Sequence, residues 1–301
     1  MTQVLKWAFV GDLQIPYEDK RAVALWLKVM KAWKPDMIDF VGDIDDQLEY
    51  SSFSDGTTDE AFNELKAKEK SYETEVKAHD RALLKALAIS DEEEKYAALA
   101  ELNEPVVPDL SPLGIIGDNA KAAKTFYETV AKQHPKADKH SSLGNHDIRI
   151  FKYLDKKAPD YVDAVTPNVL WGLDDLGITW RHYDLPPFER FAGIHVHHGA
   201  TTTTTGLAVK NDIETYNISL VRGHDHRGGV VYKSYPMKGM SLAGMGTGHL
   251  CDPEGYGLKY TINPAWEKGF GIAYVVDGKA HLQFIPIRDY TCVVDGKVFV
   301  G

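Results

Sequence analysis

The sequence contains little cysteine and no motif that would use it. Only Cys251 and Cys292 occur among the 301 residues, and neither belongs to a CxxC pair. This usage argues against a disulfide framework and fits a protein of the reducing cytoplasm.

Long apolar runs and an excess of positive charge are also missing. No run is long enough to span a bilayer, and the amino-terminal segment lacks the basic region and apolar stretch of a signal peptide. The formal net charge of −10 argues against a large non-specific duplex footprint, because such binding usually requires a basic face. A hydrophobic content of 44% and a charged content of 26% are typical of a soluble globular protein.

The first fifty residues have the pattern of a βαβ unit. Val4–Val10 is an apolar run that ends at Gly11-Asp12, and Met37–Val41 is a second one that ends at Gly42-Asp43. Between them, apolar residues recur at helical spacing from Tyr17 to Trp33. Both carboxylates therefore lie at the carboxyl ends of predicted strands, the edge at which open α/β sheets bind ligands.

A long polar segment interrupts what we interpret as a single domain of residues 1–301. Residues 47–137 are rich in Lys, Glu and Ala, with predicted helices over Asp59–Asn103 and Asn119–Gln133. The segment leaves directly after one acidic motif and returns directly before the next. This placement favours a helical cap that covers a binding site. The alternative is a solvated helical hairpin that only supports the core.

The remainder of the chain predicts one helical region, Asp147–Leu170, followed by consecutive strands. The predicted strands cover Thr179–Tyr183, Phe188–Val196, Ile218–Val221, Gly229–Tyr235, Gly239–Met245, Gly271–Val276 and Ala280–Pro286. Asp277-Gly278 separates the last two strands and predicts a tight hairpin. The order of βα units first and strands later predicts two packed sheets flanked by helices.

Five short motifs carry the candidate chemistry. They are Asp12-Leu-Gln14, Gly42-Asp43-Ile-Asp-Asp46, Gly144-Asn145-His146-Asp147, His198-Gly199 and Gly223-His224-Asp-His226. Each is weak alone, because acidic turns and strand histidines are common. Together they fall at strand-to-loop junctions and supply oxygen and imidazole ligands, which suit Mn, Fe, Zn or Mg rather than a thiolate site.

This combination resembles the calcineurin-like metallophosphoesterase superfamily, whose pattern is D-x-H, GDxxD, GNH(D/E), a strand-end His-Gly and GHxH. The resemblance covers nearly the whole chain apart from the helical insertion, and the segment from Asn263 to Gly271 looks like the tails of phage-encoded and bacterial members. It implies a four-layer α-β-β-α sandwich of two mixed sheets. It also implies two metal ions about 3.5–4 Å apart.

The resemblance further implies which residues bind the metals, with Asp43 shared between them. The first metal takes Asp12, Asp43 and His226, and the second takes Asp43, Asn145, His198 and His224. A hydroxide that bridges the metals would attack the phosphorus in line. His146 would then stabilise or protonate the leaving oxygen, with Asp147 orienting its ring.

Gln14 departs from the family pattern, in which most members carry His at this position. An amide oxygen is a poorer donor than imidazole, so the first metal is expected to be held more weakly or to keep an extra water. Oxygen ligands favour Mn²⁺ or Mg²⁺ there, and manganese-dependent nucleotide pyrophosphatases of the superfamily also carry Gln. We therefore favour Mn²⁺, with Mg²⁺, Fe, Zn²⁺ or Ni²⁺ as alternatives.

Several neighbouring residues allow two interpretations. Strand alternation favours His198 as the ligand, with His197 as the second choice. Asp46 is expected to accept a hydrogen bond near the site rather than bind metal. The other residues with either a substrate-contacting or a structural role are Arg149, Arg227 and His249.

The leading functional hypothesis is a metal-dependent phosphodiesterase of nucleic acid or a small nucleotide. The acidic balance favours a single strand or a small nucleotide over a long duplex, and a phage-encoded enzyme would act in the host cytoplasm. A phosphomonoesterase is the second hypothesis, although Gln47 stands where Ser/Thr protein phosphatases carry arginine after GDxxD. The third is a metal-binding scaffold with little activity that binds partners through its helical insertion.

Overall fold

The computed structural model describes residues 4–50, 60–91, 94–95, 98, 102, 116–203, 207–255, 258 and 265–301. The chain forms two compact units, one of Met1–Tyr50 with Asn119–Gly301 and the other of Ser51–Asp118. None of the described helices is both long and apolar enough to cross a membrane.

The helices and longer strands follow one another in a mixed α/β order. In chain order they are β1 (Val4–Val10), α1 (Lys20–Trp33), β2 (Met37–Phe40), α2 (Glu60–Leu87), α3 (Ile116–Gln133), β3 (Asp138–Ser142), α4 (Arg149–Lys157), α5 (Pro167–Trp171), β4 (Ile178–Arg181), β5 (Phe188–Phe191), β6 (Ile194–Val196), α6 (Val209–Tyr216), β7 (Ser219–Arg222), β8 (Gly228–Tyr235), β9 (Met240–Thr247), β10 (Gly269–Val276), β11 (Lys279–Pro286), β12 (Thr291–Val294) and β13 (Lys297–Val300). Short 3₁₀ turns cover Leu48–Tyr50, Pro159–Ala164 and Pro236–Lys238.

Two mixed sheets form the centre of the larger unit. The first has the order β11-β10-β1-β2-β3-β4, in which β1 to β4 are parallel and β10 and β11 are antiparallel. The second has the order β5-β6-β7-β9-β8, with parallel pairs in the middle and antiparallel pairs at both edges. Parallel neighbours bring the carboxyl ends of several strands to one edge of each sheet.

Alternation along β1 shows how the layers are built. Ala8 and Val10 point into a core that contains the buried faces of α1 and α3, whereas Trp7 and Phe9 point into a second core between the two sheets. A third core lies between α6 and the outer face of the second sheet. The layers are therefore helices, sheet, sheet and helix, which confirms the predicted four-layer α-β-β-α sandwich.

Helix α1 begins three residues later than the pattern predicts because Asp19 caps it. The Asp19 carboxylate accepts hydrogen bonds from the backbone N–H groups of Arg21 and Ala22, both at 3.1 Å. At the other end Lys34 adopts a left-handed conformation with φ 56°. Pro35 follows and cannot continue the helix.

Helix α3 belongs to the core of the larger unit. Its Phe126 ring packs 5.9 Å from both Phe40 and Trp26. The predicted insertion of residues 47–137 includes this helix, whereas the second compact unit comprises only Ser51–Asp118. Within that unit α2 ends at Leu87, and half of the residues from 88 to 103 lie outside the described ranges.

Two predicted elements are divided in the structure. The helical region Asp147–Leu170 is broken into α4, a 3₁₀ turn and α5, because Pro159 and Pro167 each start a new element. The predicted strand Phe188–Val196 is two antiparallel strands, because Ala192 and Gly193 form a turn with φ of 50° and 74°.

The carboxyl-terminal hairpins follow their turn residues. Asp277-Gly278, with φ of 49° and 73°, joins β10 to β11 and confirms the predicted hairpin. The hairpin of β12 and β13 was not predicted, although Asp295-Gly296 carries the same signal.

Candidate metal centre

The five motifs meet because each follows the carboxyl end of a parallel strand, and their backbones are joined. Asp12 N–H donates to the Gly42 carbonyl at 2.9 Å, which links the loops after β1 and β2. Gly223 N–H donates to the His198 carbonyl at 3.1 Å, which links the loops after β7 and β6. The candidate side chains are thus held by a hydrogen-bonded set of loops rather than by independent ones.

Left-handed backbone conformations are concentrated at this edge. The predicted ligand residues that adopt positive φ are Asp12 (52°), Gln14 (56°), Asp43 (52°), His224 (75°) and His226 (56°). Such conformations cost non-glycine residues of order 1–3 kcal/mol each and cluster at functional sites. The fold maintains them here because they turn side chains from different loops toward one space.

Two motif glycines allow this close approach. A Cβ at Gly42, where φ is +93°, would lie 2.4 Å from His198 Nδ1. A Cβ at Gly144 would lie 2.1 Å from Asp43 Oδ1. Any larger residue at either position would push a predicted ligand out of place.

Asp43, His198 and His224 form one cluster of candidate ligands. One ligand atom from each of these residues lies within 4.8 Å of the others. His198 donates through Nδ1 to the Val41 carbonyl at 2.7 Å, so Nε2 is directed toward Asp43 Oδ2 at 3.1 Å. A histidine held in this way by its outer nitrogen is typical of metal sites.

The residues predicted for the first metal lie around Asp12. His226 Nε2 is 3.1 Å from Asp12 Oδ1, and His224 N–H is 3.1 Å from each Asp12 oxygen. Gln14 donates through Nε2 to Asp43 Oδ2 at 3.1 Å, which connects this group to the first cluster.

Two buried oxygen atoms of the predicted ligand residues have no hydrogen-bond partner: Gln14 Oε1 and Asn145 Oδ1. A buried polar group without a partner costs about 1–3 kcal/mol, so two in one place require an explanation. His198 Nε2 faces the Asp43 carboxylate, 3.1 Å away, and nitrogen and oxygen donors of this kind suit divalent cations such as Mn²⁺. The residues present therefore fit the metals that the sequence motifs imply.

Neighbouring carboxylates and imidazoles shift one another's pKa values in this site. Burial opposes protonation of His198, but Asp43 and Asp12 outweigh it and raise the pKa of His198 to about 9. Burial would raise the pKa of Asp43, but His198 and His146 hold it well below its usual range. The pKa of His226 is raised in the same way by Asp12 against burial. A divalent cation at this position must displace those protons.

His224 has the opposite shift. Burial, together with the positive charge of His198, lowers the pKa of His224 to about 3. Its imidazole is therefore neutral at physiological pH and is already in the form that binds metal.

The ring of His146 is oriented by Asp46, which corrects the expectation that Asp147 does this. His146 Nδ1 lies 3.1 Å from Asp46 Oδ1, and because a carboxylate only accepts, the ring donates through Nδ1. Arg149 donates to the Asp46 carbonyl at 2.7 Å and to its carboxylate, and its Nη2 lies 3.1 Å from His146 Nε2. Arg149 is therefore directed at the Asp46–His146 pair.

Asp147 instead holds the loops together. Its Oδ2 accepts from the backbone N–H groups of Asp43 and Gly144, both at 2.7 Å, and its Oδ1 accepts from Asp45 N–H at 2.9 Å. Burial and the negative charge of Asp43 raise the pKa of Asp147 to about 6. The acidic residue that follows Gly-Asn-His therefore has a structural role, because it holds the loop of the second motif against the loop of the third.

The remaining candidates lie at the margin of the site. Both ring nitrogens of His197 are used by backbone groups, the Tyr183 carbonyl at 3.0 Å and Gly199 N–H at 2.8 Å. The Arg227 carbonyl accepts from Gly248 N–H at 3.3 Å. His249 is buried, with its ring 5.5 Å from that of His226.

Arg222 is a residue that sequence reasoning missed. It is fully buried, pairs with Asp212 and donates to the Gly223 carbonyl at 3.0 Å and the Thr201 carbonyl at 2.6 Å. It thereby supports the loops that carry two histidine motifs. The sequence does carry a signal for a buried arginine at this position, because Arg222 directly follows the apolar pair Leu220-Val221 of a strand.

Comparisons with known proteins give distant similarities. No family model matches the chain. It is 24% identical to the Gene 54 protein of Mycobacterium phage D29 over 301 residues, with 96% of both chains covered. It is 23% identical to the Gene 54 protein of Mycobacterium phage L5, again over 301 residues and 96% of each.

Two solved structures resemble this fold more loosely. Vacuolar Protein Sorting 29 from Cryptosporidium parvum is 10% identical with a TM-score of 0.43, over 98% of this chain and 94% of that one. Yfce, a phosphoesterase from E. coli, is 11% identical with a TM-score of 0.38, over 93% of this chain and 98% of that one.

Proposed function

We propose that this protein is a dinuclear-metal-dependent phosphoester hydrolase, most specifically a phosphodiesterase of single-stranded nucleic acid or a small nucleotide. The observation that carries the proposal is the meeting of five loops whose predicted ligands include a cluster of Asp43, His198 and His224 and two buried oxygen atoms without partners. The Gene 54 proteins of two phages are similar over 96% of the chain, so we further propose that it acts in a host cytoplasm.

The proposed ligand sets follow the geometry. One metal would be held by Asp12, Gln14, Asp43 and His226, and the other by Asp43, Asn145, His198 and His224. Asp43 is the shared residue because its Oδ2 lies 3.1 Å from both Gln14 Nε2 and His198 Nε2. Bound divalent cations would neutralise the phosphoester oxygens and lower the pKa of a water molecule toward about 7.

In this proposal His146 acts on the leaving group. Its Nε2 is 3.9 Å from Asp43 Oδ2, so it faces the space that the phosphoester would occupy beside the metals. Asp46 holds Nδ1 and fixes the direction of the ring. Protonation or hydrogen bonding of a leaving oxygen by such a group contributes typically 10²–10⁴-fold.

A diester is favoured over a monoester by the charges around His146. The guanidinium of Arg149 is directed at Asp46 and His146, whereas a terminal phosphate dianion needs a cation that faces it. A diester carries one fewer negative charge and therefore needs less facing positive charge than a monoester dianion. The net charge of −10 further favours a short or single-stranded substrate over a duplex.

The proposal is tested with metal-stripped protein reloaded with Mn²⁺ and four substrates. They are bis-p-nitrophenyl phosphate, p-nitrophenyl phosphate, a single-stranded DNA oligonucleotide and ADP-ribose. We expect turnover of at least one diester substrate and its loss in Asp43→Asn, which removes the shared ligand. Faster turnover of the monoester would identify a phosphomonoesterase. Absence of turnover of all four by protein shown to hold two metals would refute the enzyme proposal and favour a scaffold.

A further inference from the structure

A buried cluster outside the predicted ligand set lies behind His226. Cys251 Sγ is 3.1 Å from His249 Nδ1 and 4.0 Å from His226 Nδ1. Cys251 is 0% exposed and His249 2% exposed. The Trp266 ring lies 4.2 Å from that of His226 and 5.6 Å from that of His249, so three side chains surround the face of His226 that is turned away from Asp12.

The backbone next to this cluster is hydrogen-bonded to Asp12 and His226, two proposed ligands of the first metal. Leu250 N–H donates to the Asp12 carbonyl at 3.1 Å, and Glu267 N–H donates to the His226 carbonyl at 2.9 Å. Gly269 N–H donates to the His249 carbonyl at 3.1 Å, which joins the two segments. A shift of Cys251 would therefore be transmitted to the residues that face the metal.

We infer that Cys251 is a positioning residue for the first metal, held in place by His249. The thiol sulfur lies 4.0 Å from His226 Nδ1 and can accept its N–H, which leaves Nε2, 3.1 Å from Asp12 Oδ1, as the nitrogen that would exchange its proton for the metal. The thiol hydrogen is available to His249 Nδ1. The inference rests on the proposed two-metal function.

His198 and His226 differ in the partner of the ring nitrogen that faces away from the proposed metals. His198 Nδ1 bonds to a backbone carbonyl at 2.7 Å, whereas His226 Nδ1 faces sulfur, which is a weak acceptor. Partners of the outer nitrogen alter metal affinity by about 10–100-fold. The first metal is therefore the more weakly held one, for a reason additional to the amide ligand Gln14.

The experiment compares Cys251→Ala, Cys251→Ser and Cys292→Ala with the unmodified protein. Mn²⁺ affinities are measured by calorimetry, and the pairing of the ions by electron paramagnetic resonance. The alanine and serine variants differ only by a hydroxyl that can replace the thiol as an acceptor. Cys292 is also buried, at 3% exposure, but packs in the core beneath α1 and serves as the matched control.

In Cys251→Ala we expect one of the two Mn²⁺ affinities to fall about 10–100-fold, with the spin-coupled spectrum replaced by that of a single ion. Cys251→Ser should recover most of the affinity, and Cys292→Ala should retain all of it. Unfolding temperatures in EDTA check that the variants fold. Unchanged affinity in Cys251→Ala, or equal losses in the alanine and serine variants, would overturn the inference.

Two further results would each have a different meaning. A sulfur-to-cobalt charge-transfer band in Co²⁺-loaded protein that disappears in Cys251→Ala would make the sulfur a ligand and overturn the positioning role. An unmodified protein that binds fewer than two Mn²⁺ ions would contradict the proposed function itself.

Discussion

At the scale of single residues, His146 lies between groups of opposite charge. Asp46 Oδ1 is 3.1 Å from Nδ1, and Arg149 Nη2 is 3.1 Å from Nε2. Because Arg149 can only donate, Nε2 is unprotonated while this contact exists. Before Nε2 could give a proton to a leaving oxygen, it would have to lose its contact with Arg149 and take up a proton itself.

Removal of the His146 ring should separate catalysis from metal binding. We expect His146→Ala to bind two Mn²⁺ ions with nearly unchanged affinity, because the ring is not among the proposed ligands. Its kcat should fall about 10²–10⁴-fold, the usual contribution of a general acid. Calorimetry and steady-state kinetics check both quantities, and loss of a metal would show that the division of roles is wrong.

Asp46 and Asp147 should differ when each is replaced by alanine. Asp147→Ala leaves three buried backbone N–H groups without acceptors, at about 1–3 kcal/mol each. We therefore expect reduced stability and metal affinity. Asp46→Ala frees the His146 ring and should lower kcat while both metals stay bound. Denaturant unfolding, calorimetry and kinetics on the two variants measure the difference; identical behaviour would contradict it.

At the scale of elements, helix α3 is the informative case. Its pattern of Lys, Glu and Ala resembles that of the polar segment before it, and the sequence therefore assigns it to the insertion. Phe126 nevertheless packs against Phe40 of β2. Composition describes the exposed face of a helix, whereas the layer it joins is decided by a few apolar side chains on the other face.

Alanine substitutions on α3 and α2 test that assignment. Phe126 is 7% exposed and Leu84 of α2 is 68% exposed. Phe126→Ala should destabilise the larger unit by about 3–5 kcal/mol, the usual cost for a buried phenylalanine. Leu84→Ala should change stability by no more than about 0.5 kcal/mol. Urea unfolding measures both, and a small effect at Phe126 would show that α3 is not part of the core.

Strand β3 carries a histidine whose burial makes stability depend on pH. Burial, together with the charges of Arg190 and Arg181, lowers the pKa of His140 to about 3, below the 6.5 of an unperturbed histidine. The unfolded chain therefore takes up a proton that the folded one refuses, so stability present above about pH 6.5 is lost as the pH falls.

His140→Asn removes this dependence while it keeps a polar group near Thr179. Between pH 7.5 and pH 5 the unmodified protein should lose about 2 kcal/mol more stability than the variant, from 1.36 kcal/mol per pKa unit. Urea titrations in EDTA at the two pH values provide the measurement. Equal losses in both proteins would show that His140 does not cause the dependence.

At the scale of the whole molecule, ion pairs add to the hydrogen bonds that join the loops at one edge, and a metal would reorganise those pairs. In the metal-free protein the pKa of His198 is raised to about 9, so the stabilisation that its ion pair with Asp43 gives is complete below about pH 6.5 and is lost as the pH rises through about 9. Metal binding displaces the same proton, so it strengthens over the interval in which the ion pair weakens.

Mn²⁺ should therefore stabilise the fold more at pH 8 than at pH 6.5. A ligand at 1,000 times its dissociation constant contributes about 4 kcal/mol, and the affinity itself should rise with pH. Unfolding temperatures with Mn²⁺ and with EDTA at the two pH values measure the effect. Equal shifts at both would contradict the proposed proton displacement, with Asp43→Asn as the control that should show little shift at either.

The proposed cap function of residues 47–137 stays a prediction, as do the individual ligands. The resemblance to a known family implied the four layers with two mixed sheets. What the pattern of the sequence alone determined is the order of the βα units, the two packed sheets flanked by helices and the five motifs at strand ends. These depend on local periodicity and turn residues, which adjacent positions encode. The tight hairpin at Asp277-Gly278 is of the same kind.

The tertiary structure decided how side chains distant in the chain are used. Asp46 rather than Asp147 orients His146, about a hundred residues away, because the loop after β2 and the loop after β3 face each other. Arg222 and Cys251 support ligand loops through contacts that no local pattern records. Hydrogen-bond direction between separate loops depends on their packed geometry, so it follows only from the folded structure.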